Sequence, residues 1–184
     1  MNIIVLGPQG SGKGTQGKQL AKKYYLPHIS TGSMLRRYVA AGGTRAEEVR
    51  ELMDSGELID DLFLEEILEE RLAQPDCKNG FVLDGTPRDL EQARMLDRFI
   101  SVDYAFLIDI SEEESLRRVA KRAEIEHRED DTPEALKKRL ATYTEKTLPV
   151  LDYYERQGIL YCIDGEQKVH EVFANIVSVL EETA

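Results

Sequence analysis

Nine residues near the start of the chain, Gly7-Pro8-Gln9-Gly10-Ser11-Gly12-Lys13-Gly14-Thr15, hold four glycines and one lysine. Glycines at this density let backbone N–H groups converge on an anion. Gly10, Ser11, Gly12 and Gly14 supply the cradle, and Lys13 adds a point charge that reaches bridging and terminal phosphates. Thr15 is the nearest hydroxyl able to meet a magnesium ion. The chemistry is the grip of a polyphosphate. The generic pattern has Ser or Thr directly after the lysine, whereas here Gly14 intervenes, a departure that marks a subtype. A glycine-rich turn without a ligand is the competing reading, and so many glycines around one lysine speak against it.

Such a cradle needs a strand to feed it and a helix to leave it. Ile3-Ile4-Val5-Leu6 reads as the strand and residues 16–24 as the helix. Further strand signals fall at 27–29, at 81–83 ending on Asp84, at 104–110 and at 159–163. Between them, Leu64, Ile67, Leu68 and Leu72 repeat at helical spacing, and Val169, Val172, Phe173, Ile176, Val177 and Leu180 do so near the end. Short strands alternating with helices predict an α/β fold, a five-stranded parallel sheet covered by helices on both faces. Ligands in such sheets sit beyond the carboxyl ends of the strands. That rule gathers the glycine loop, Ser30-Thr31-Gly32 and Asp84-Gly85-Thr86-Pro87-Arg88 around one cleft. Two segments interrupt the alternation: a polar helical insertion at 33–60 and a charged stretch at 121–131. Neither has the apolar residues to bury much on its own, and both read as flaps over the cleft.

The length of 184 residues fits one domain, 1–184, and 41% hydrophobic residues support a sizeable core. No apolar run approaches the roughly 20 residues that span a bilayer. The first residues lack the pattern of a secretory signal, so a cytoplasmic protein without a membrane partner is expected. Lys and Arg total 24 against 35 Asp and Glu, a net charge of −11, which disfavours a nucleic-acid partner. A small phosphorylated substrate stays compatible, because local arginines outweigh a global sign. Cys77 and Cys162 lack metal-ligand spacing and read as free thiols. His28, His127 and His170 are too scattered in sequence to define a metal site, and the Tyr24-Tyr25 and Tyr153-Tyr154 pairs read as packing.

In order and spacing, the glycine loop, Ser30-Thr31-Gly32 with Met34-Leu35-Arg36, Asp84-Gly85-x-Pro87-Arg88, Gln92-Ala93, Arg118-x-x-x-Arg122, Arg128-x-Asp130-Asp131, Lys138-Arg139-Leu140 and Asp164-Gly165 resemble the adenylate kinases among the nucleoside monophosphate kinases. The likeness covers essentially the whole chain. It implies the P-loop nucleotide kinase fold, with reversible phosphoryl transfer from Mg-ATP to AMP giving two ADP. The resemblance implies an AMP-binding insertion at 30–60 and a lid at 121–131. The compact segment between Arg122 and Arg128 looks like the short-lid form. Longer-lid relatives carry an extra segment there, sometimes with a cysteine-held zinc ion, so no structural zinc is expected. Small-molecule nucleotides are the implied partners of a monomer.

The resemblance also implies roles. Lys13, Arg88, Arg122, Arg128 and Arg139 match the catalytic set around the transferred phosphoryl group. Residues 10–15, Arg118, Arg122 and Gln167 match the ATP site, with the Arg118 guanidinium near the adenine. Thr31, Arg36, Ile59, Gly85, Arg88 and Gln92 match the AMP site, and Thr31 and Gln92 present complementary hydrogen bonds to the base edge. Asp84 matches a carboxylate that supports magnesium through water, with Thr15 as a further candidate. The bland reading of each arginine is a solvated charge or weak surface ion pair. Lys121 and Lys138 read as solvent-facing, and Asp130 and Asp131 as a helix cap or a lid hinge.

Three positions depart from the family pattern. The family usually reads Gly-x-Pro-Gly where this chain has Gly7-Pro8-Gln9-Gly10. Ser33 stands at the usual aspartate, which removes one carboxylate near magnesium-bound water, and Thr86 stands at the usual phenylalanine. Two alternatives stay open on these grounds: a nucleoside monophosphate kinase of broader acceptor range, and a nucleotide-switched assembly NTPase.

Overall fold

In the computed structural model of the chain, residues 1–126 and 132–183 are described, 124–126 by backbone alone. Five strands form one sheet: β1 (Asn2–Leu6), β2 (His28–Ser30), β3 (Phe81–Asp84), β4 (Tyr104–Asp109) and β5 (Leu160–Asp164). Their order is β2-β3-β1-β4-β5, and every pairing is parallel. The expected five-stranded parallel sheet is therefore present. Strand ends differ from the sequence reading by a residue or so, as pairing partners rather than apolarity decide them.

The side-chain period of two splits each apolar run between two faces. Ile3 and Val5 of β1 join Val82, Phe106 and Ile108 on one face. There they meet Leu20 of α1 (Lys13–Tyr24) and Val172, Ile176 and Leu180 of α9 (Val169–Glu182). Ile4 and Leu6 point the other way, with Leu83, Ala105 and Leu107. That face is covered by Leu64 and Leu68 of α4 (Asp61–Leu72), Leu96 of α5 (Leu90–Leu96) and Tyr154 of α8 (Leu148–Arg156). A strand buried on both sides reads as an unbroken apolar run for this reason.

The insertion folds as α2 (Thr31–Ala40) and α3 (Ala46–Ser55). It shares a small core with α4: Leu35 and Val49 pack with Phe63, and Tyr38, Val39, Met53 and Ile59 surround them. Phe63 belongs to α4, so the insertion borrows the anchor that its own polar sequence lacks. Beyond β4 come α6 (Glu112–Glu126), α7 (Pro133–Thr142) and a π-helical turn, Tyr143–Thr147, that leads into α8. The Thr132 hydroxyl caps α7 by accepting the Ala135 N–H, with Pro133 opening the helix. Asp130 and Asp131, expected as a cap, lie outside the described residues, as do His127 and Arg128. Lys138 is 47% exposed, yet its amine pairs with Glu57 at 2.5 Å, so α7 touches the insertion instead of facing only solvent.

Register aligns the strand ends. Val5 lies opposite Asp84 and Phe106, and Ser30 lies opposite Asp84. The segments that follow β1, β2 and β3 therefore leave the sheet side by side.

Candidate active site

The loop after β1 takes its shape from glycines at two points. Gly7 has φ 140°, and a Cβ there would come within 2.4 Å of the Ile108 carbonyl oxygen. Gly12 has open space around it but φ 100°, which is costly for an L side chain. Gly12 caps α1, and its carbonyl accepts the Gln16 N–H at 2.9 Å. No acidic residue lies in the first turn of α1, so the positive end of the helix faces the loop uncompensated. The Ser115 hydroxyl on α6 donates to the Gln9 carbonyl at 2.5 Å and pins the loop from outside.

Lys13 folds back on this loop and donates to the Gly7 and Pro8 carbonyls at 2.7 and 2.6 Å. Burial lowers its ammonium to about 7; Asp84 opposes that shift, and the Arg88 and Arg122 charges add to it. A lysine held this way is a cation that an incoming phosphate would stabilise.

Beside it stands Asp84, 7% exposed at the end of β3. The His28 Nε2 lies 2.5 Å from its Oδ2. Burial pushes this carboxyl up, but the hydrogen bond and charge of His28, the charge of Lys13 and a hydrogen bond from Ser30 outweigh it and leave it below the usual carboxylate range. His28 had no role in the sequence reading. Its signal is Gly17, in the middle of α1, where a Cβ would come within 2.7 Å of the His28 Nε2. The absent side chain makes room for the ring.

Magnesium, as implied above, meets a donor set of the right chemistry. A Cβ on Gly14 would lie 3.7 Å from the Asp84 Oδ2, so the carboxylate rests against the phosphate loop, and Thr15 is an exposed residue of the same cleft. These are hard oxygen donors. Among the described residues no group of three or more His, Cys, Asp or Glu is placed to hold a metal. A magnesium ion here would therefore rely on substrate phosphates and water for most of its coordination. Ser33 brings no carboxylate, and its hydroxyl instead receives a long 3.4 Å contact from Arg36.

Across the cleft, three hydrogen bonds to other described residues help hold Arg88. Its Nε donates to the Gly85 carbonyl at 2.9 Å, its backbone N–H donates to the Gln92 Oε1 at 2.9 Å, and its carbonyl accepts the Thr147 hydroxyl at 2.6 Å. The π-helical turn is what carries Thr147 to that place, a contribution that sequence reasoning missed. Asp89 caps α5 by accepting the Gln92 N–H at 2.9 Å. Thr31 is 2% exposed and donates to the Asp84 carbonyl at 3.3 Å. Thr86 is 1% exposed and lines the same space.

One cleft of about 350 Å³ brings together Gly10, Gly12, Lys13, Gly14, Thr15, Thr31, Arg36, Ile59, Asp84, Gly85, Arg88, Gln92, Arg122 and Arg139. Tyr143 joins them without having been expected, and burial pushes its phenol up to about 12. Arg139 also donates to the Met53 carbonyl at 2.9 Å, tying α7 to α3. Three expected residues stand off the cleft wall. The Ser11 hydroxyl is buried without a hydrogen-bond partner among the described residues. Arg118 pairs with Glu114 at 2.5 Å and donates to the Gly165 carbonyl at 2.9 Å. Gln167 donates to Asp164 and accepts from Asn175.

A phosphate loop on β1 of a parallel sheet in this strand order defines a P-loop kinase of the nucleoside monophosphate kinase fold. The profile of the family described as Adenylate kinase matches residues 5–159. The adenylate kinase of Xanthomonas campestris pv. campestris (strain B100) is 44% identical over 96% of this chain and 97% of its own. That of Stenotrophomonas maltophilia (strain K279a) is 41% identical over 98% and 100%, and that of Agathobacter rectalis is 39% identical over 99% and 100%. The chain belongs to the adenylate kinase family, and it is an enzyme of phosphoryl transfer. No described helix is long and apolar enough to cross a membrane.

Proposed function

We propose that the protein transfers the terminal phosphoryl group of Mg-ATP reversibly to AMP, giving two ADP. The observation that carries this reading is the opposition of two unlike phosphate grips across one cleft: the glycine loop with Lys13, and the Arg36–Arg88 pocket with Gln92 beside it. One grip would serve a hydrolase or a switch, whereas two permit transfer between nucleotides.

In the proposed reaction the loop N–H groups and Lys13 bind the donor phosphates. Arg36 and Arg88 hold the acceptor phosphate, with bidentate guanidinium geometry that fixes its direction. Arg122 and Arg139, which line the cleft, serve the migrating group, whose charge spreads over its oxygens in the transition state, and the family resemblance assigns Arg128 to the same set. Magnesium, when bound with the donor, neutralises charge between its phosphates. Asp84, kept ionised and oriented by His28, would support that ion through water. Alignment and exclusion of water do the rest, and no general base is assigned. Residues 30–60 are the proposed acceptor flap and 121–131 a lid of the short form. The net charge of −11 supports nucleotides, rather than nucleic acid, as partners. We read the protein as a cytoplasmic monomer.

Thr86 favours one second reading, a broader acceptor range, because a small hydroxyl residue lines the cleft where the family pattern has an aromatic wall. Separating nucleotides after incubation with Mg-ATP and each nucleoside monophosphate decides between them. Rapid ADP formation that requires AMP, approached from both directions, is expected. Comparable rates with several monophosphates would favour the broader reading, and ATP hydrolysis without AMP phosphorylation would remove both.

A further inference from the structure

Gln92 is 1% exposed, and both ends of its amide are engaged. The Arg88 backbone N–H donates to its Oε1 at 2.9 Å, and its Nε2 donates to the Asp61 Oδ1 at 3.1 Å. Asp61 is the first residue of α4, and its neighbour Asp60 already serves as the cap of that helix by accepting the Phe63 N–H at 2.9 Å. Asp61 is therefore not needed for capping, and its carboxylate reaches across to α5.

An amide has two orientations, and here they are not equivalent. If Gln92 turned over, its NH₂ would face the Arg88 N–H, donor against donor, and its oxygen would face a carboxylate that only accepts. Both contacts would fail at a site almost closed to water, where unmade hydrogen bonds are costly. The Arg88 half of this lock is backbone and is always present. The Asp61 half depends on one side chain. With one Nε2 hydrogen spent on Asp61, the other is what the amide can offer to the cleft that Gln92 lines.

We propose that Asp61 is a positioning residue for acceptor specificity: it holds the Gln92 amide so that the pocket presents an N–H donor to the base. This deepens the proposed function and rests on it. A base with an unprotonated ring nitrogen, as in adenine, meets that donor. A purine with N–H at the same place, as in hypoxanthine, meets donor with donor. AMP and IMP have nearly the same shape, so their comparison isolates this polarity.

The test is kcat/KM for AMP and for IMP in the full chain and in two variants. Asp61→Asn keeps an oxygen that accepts from the Gln92 Nε2 while the Arg88 N–H stays on the Oε1, so it is the conservative variant that retains the anchor. Asp61→Ala removes the anchor altogether. The unmodified protein is expected to prefer AMP by about a hundredfold, the scale on which a hydrogen-bonding site rejects a mismatched partner. Asp61→Ala is expected to lower that ratio by about tenfold and Asp61→Asn to keep it within about threefold, with the KM for ATP unchanged in both. A purely structural role of Asp61 would move thermal stability and both acceptors alike, leaving the ratio intact. The proposal is overturned if folded Asp61→Ala keeps the original ratio within about twofold, if Asp61→Asn loses it as fully as Asp61→Ala, or if the unmodified protein uses AMP and IMP equally well. If the protein phosphorylates neither, it is the underlying reading of the function that fails.

Discussion

The two sides of the cleft are built by different means. The proposed donor side is one contiguous loop, Gly7 to Thr15, suited to grip phosphate through its backbone. The proposed acceptor side collects Thr31, Arg36, Ile59, Gly85, Arg88 and Gln92 from separate elements, and its grip would rest on side chains such as Arg36, Arg88 and Gln92. The donor side depends on φ angles that glycine permits. The acceptor side depends on a chain of contacts from Thr147 to Arg88 to Gln92 to Asp61. A local loop survives remote changes, while an assembled pocket feels them.

Removing the charged side chain of the proposed donor loop should have the largest effect. Lys13→Ala is expected to lower kcat by about a thousandfold, because a preorganised cation at the transferring group is lost. A rate near the original in a coupled ADP assay would break the assignment of this side as the donor site. On the other side, Arg88→Ala is expected to lower kcat/KM for the acceptor by about a hundredfold, with ATP binding by titration little changed. Equal losses for both nucleotides would erase the distinction between the two sides.

Gly17→Ala probes the support between them. The added Cβ would meet His28 at 2.7 Å, so the ring or the helix must shift, and the His28–Asp84 contact is expected to loosen. A loss of about 1–3 kcal/mol in stability is expected from overpacking. The melting temperature should fall by several degrees, and the magnesium concentration needed for half-maximal rate should rise. Unchanged values for both would mean that His28 does not hold Asp84 in place.

The smallest expected effect is in pH dependence. Lys13 sits at about 7 in the folded protein, below its ordinary 10.5. Between these values the unfolded chain carries the proton and the folded protein does not, so this group makes stability rise with pH across that window. Below about 7 it is charged in both states and its burial opposes folding in full. Donor phosphates favour the ammonium, so nucleotide binding should take up a proton, and donor affinity should weaken by at most about tenfold per pH unit above 7. Calorimetry in two buffers of different ionisation enthalpy measures that uptake. A Lys13→Met variant should show none, and equal uptake in both proteins would place the titration elsewhere.

Much of this was legible in the residues themselves. Ile3 to Leu6, Phe81 to Leu83 and the periodic apolar positions of α4 and α9 announce a buried parallel sheet and its covers. The phosphate loop is legible because its function lies in backbone conformation over nine adjacent residues. The insertion was harder, because its core is completed by Phe63 from outside it. His28, Tyr143 and Thr147 gave little signal. A histidine at a strand start and a hydroxyl in a helical run have many ordinary uses, and only their neighbours in space select one.

The sequence by itself determined the fold class, the strand that feeds the phosphate loop and the residue types available for gripping phosphate. Hydrophobic period and glycine placement are local properties, and they need no knowledge of the rest of the chain. The tertiary structure alone decided that His28 meets Asp84, that the Thr147 hydroxyl reaches Arg88, and that Asp61 takes one hydrogen of the Gln92 amide. Those pairings join residues 31 to 59 positions apart, and a hydrogen bond is decided by a few tenths of an ångström in space, which no spacing along the chain specifies.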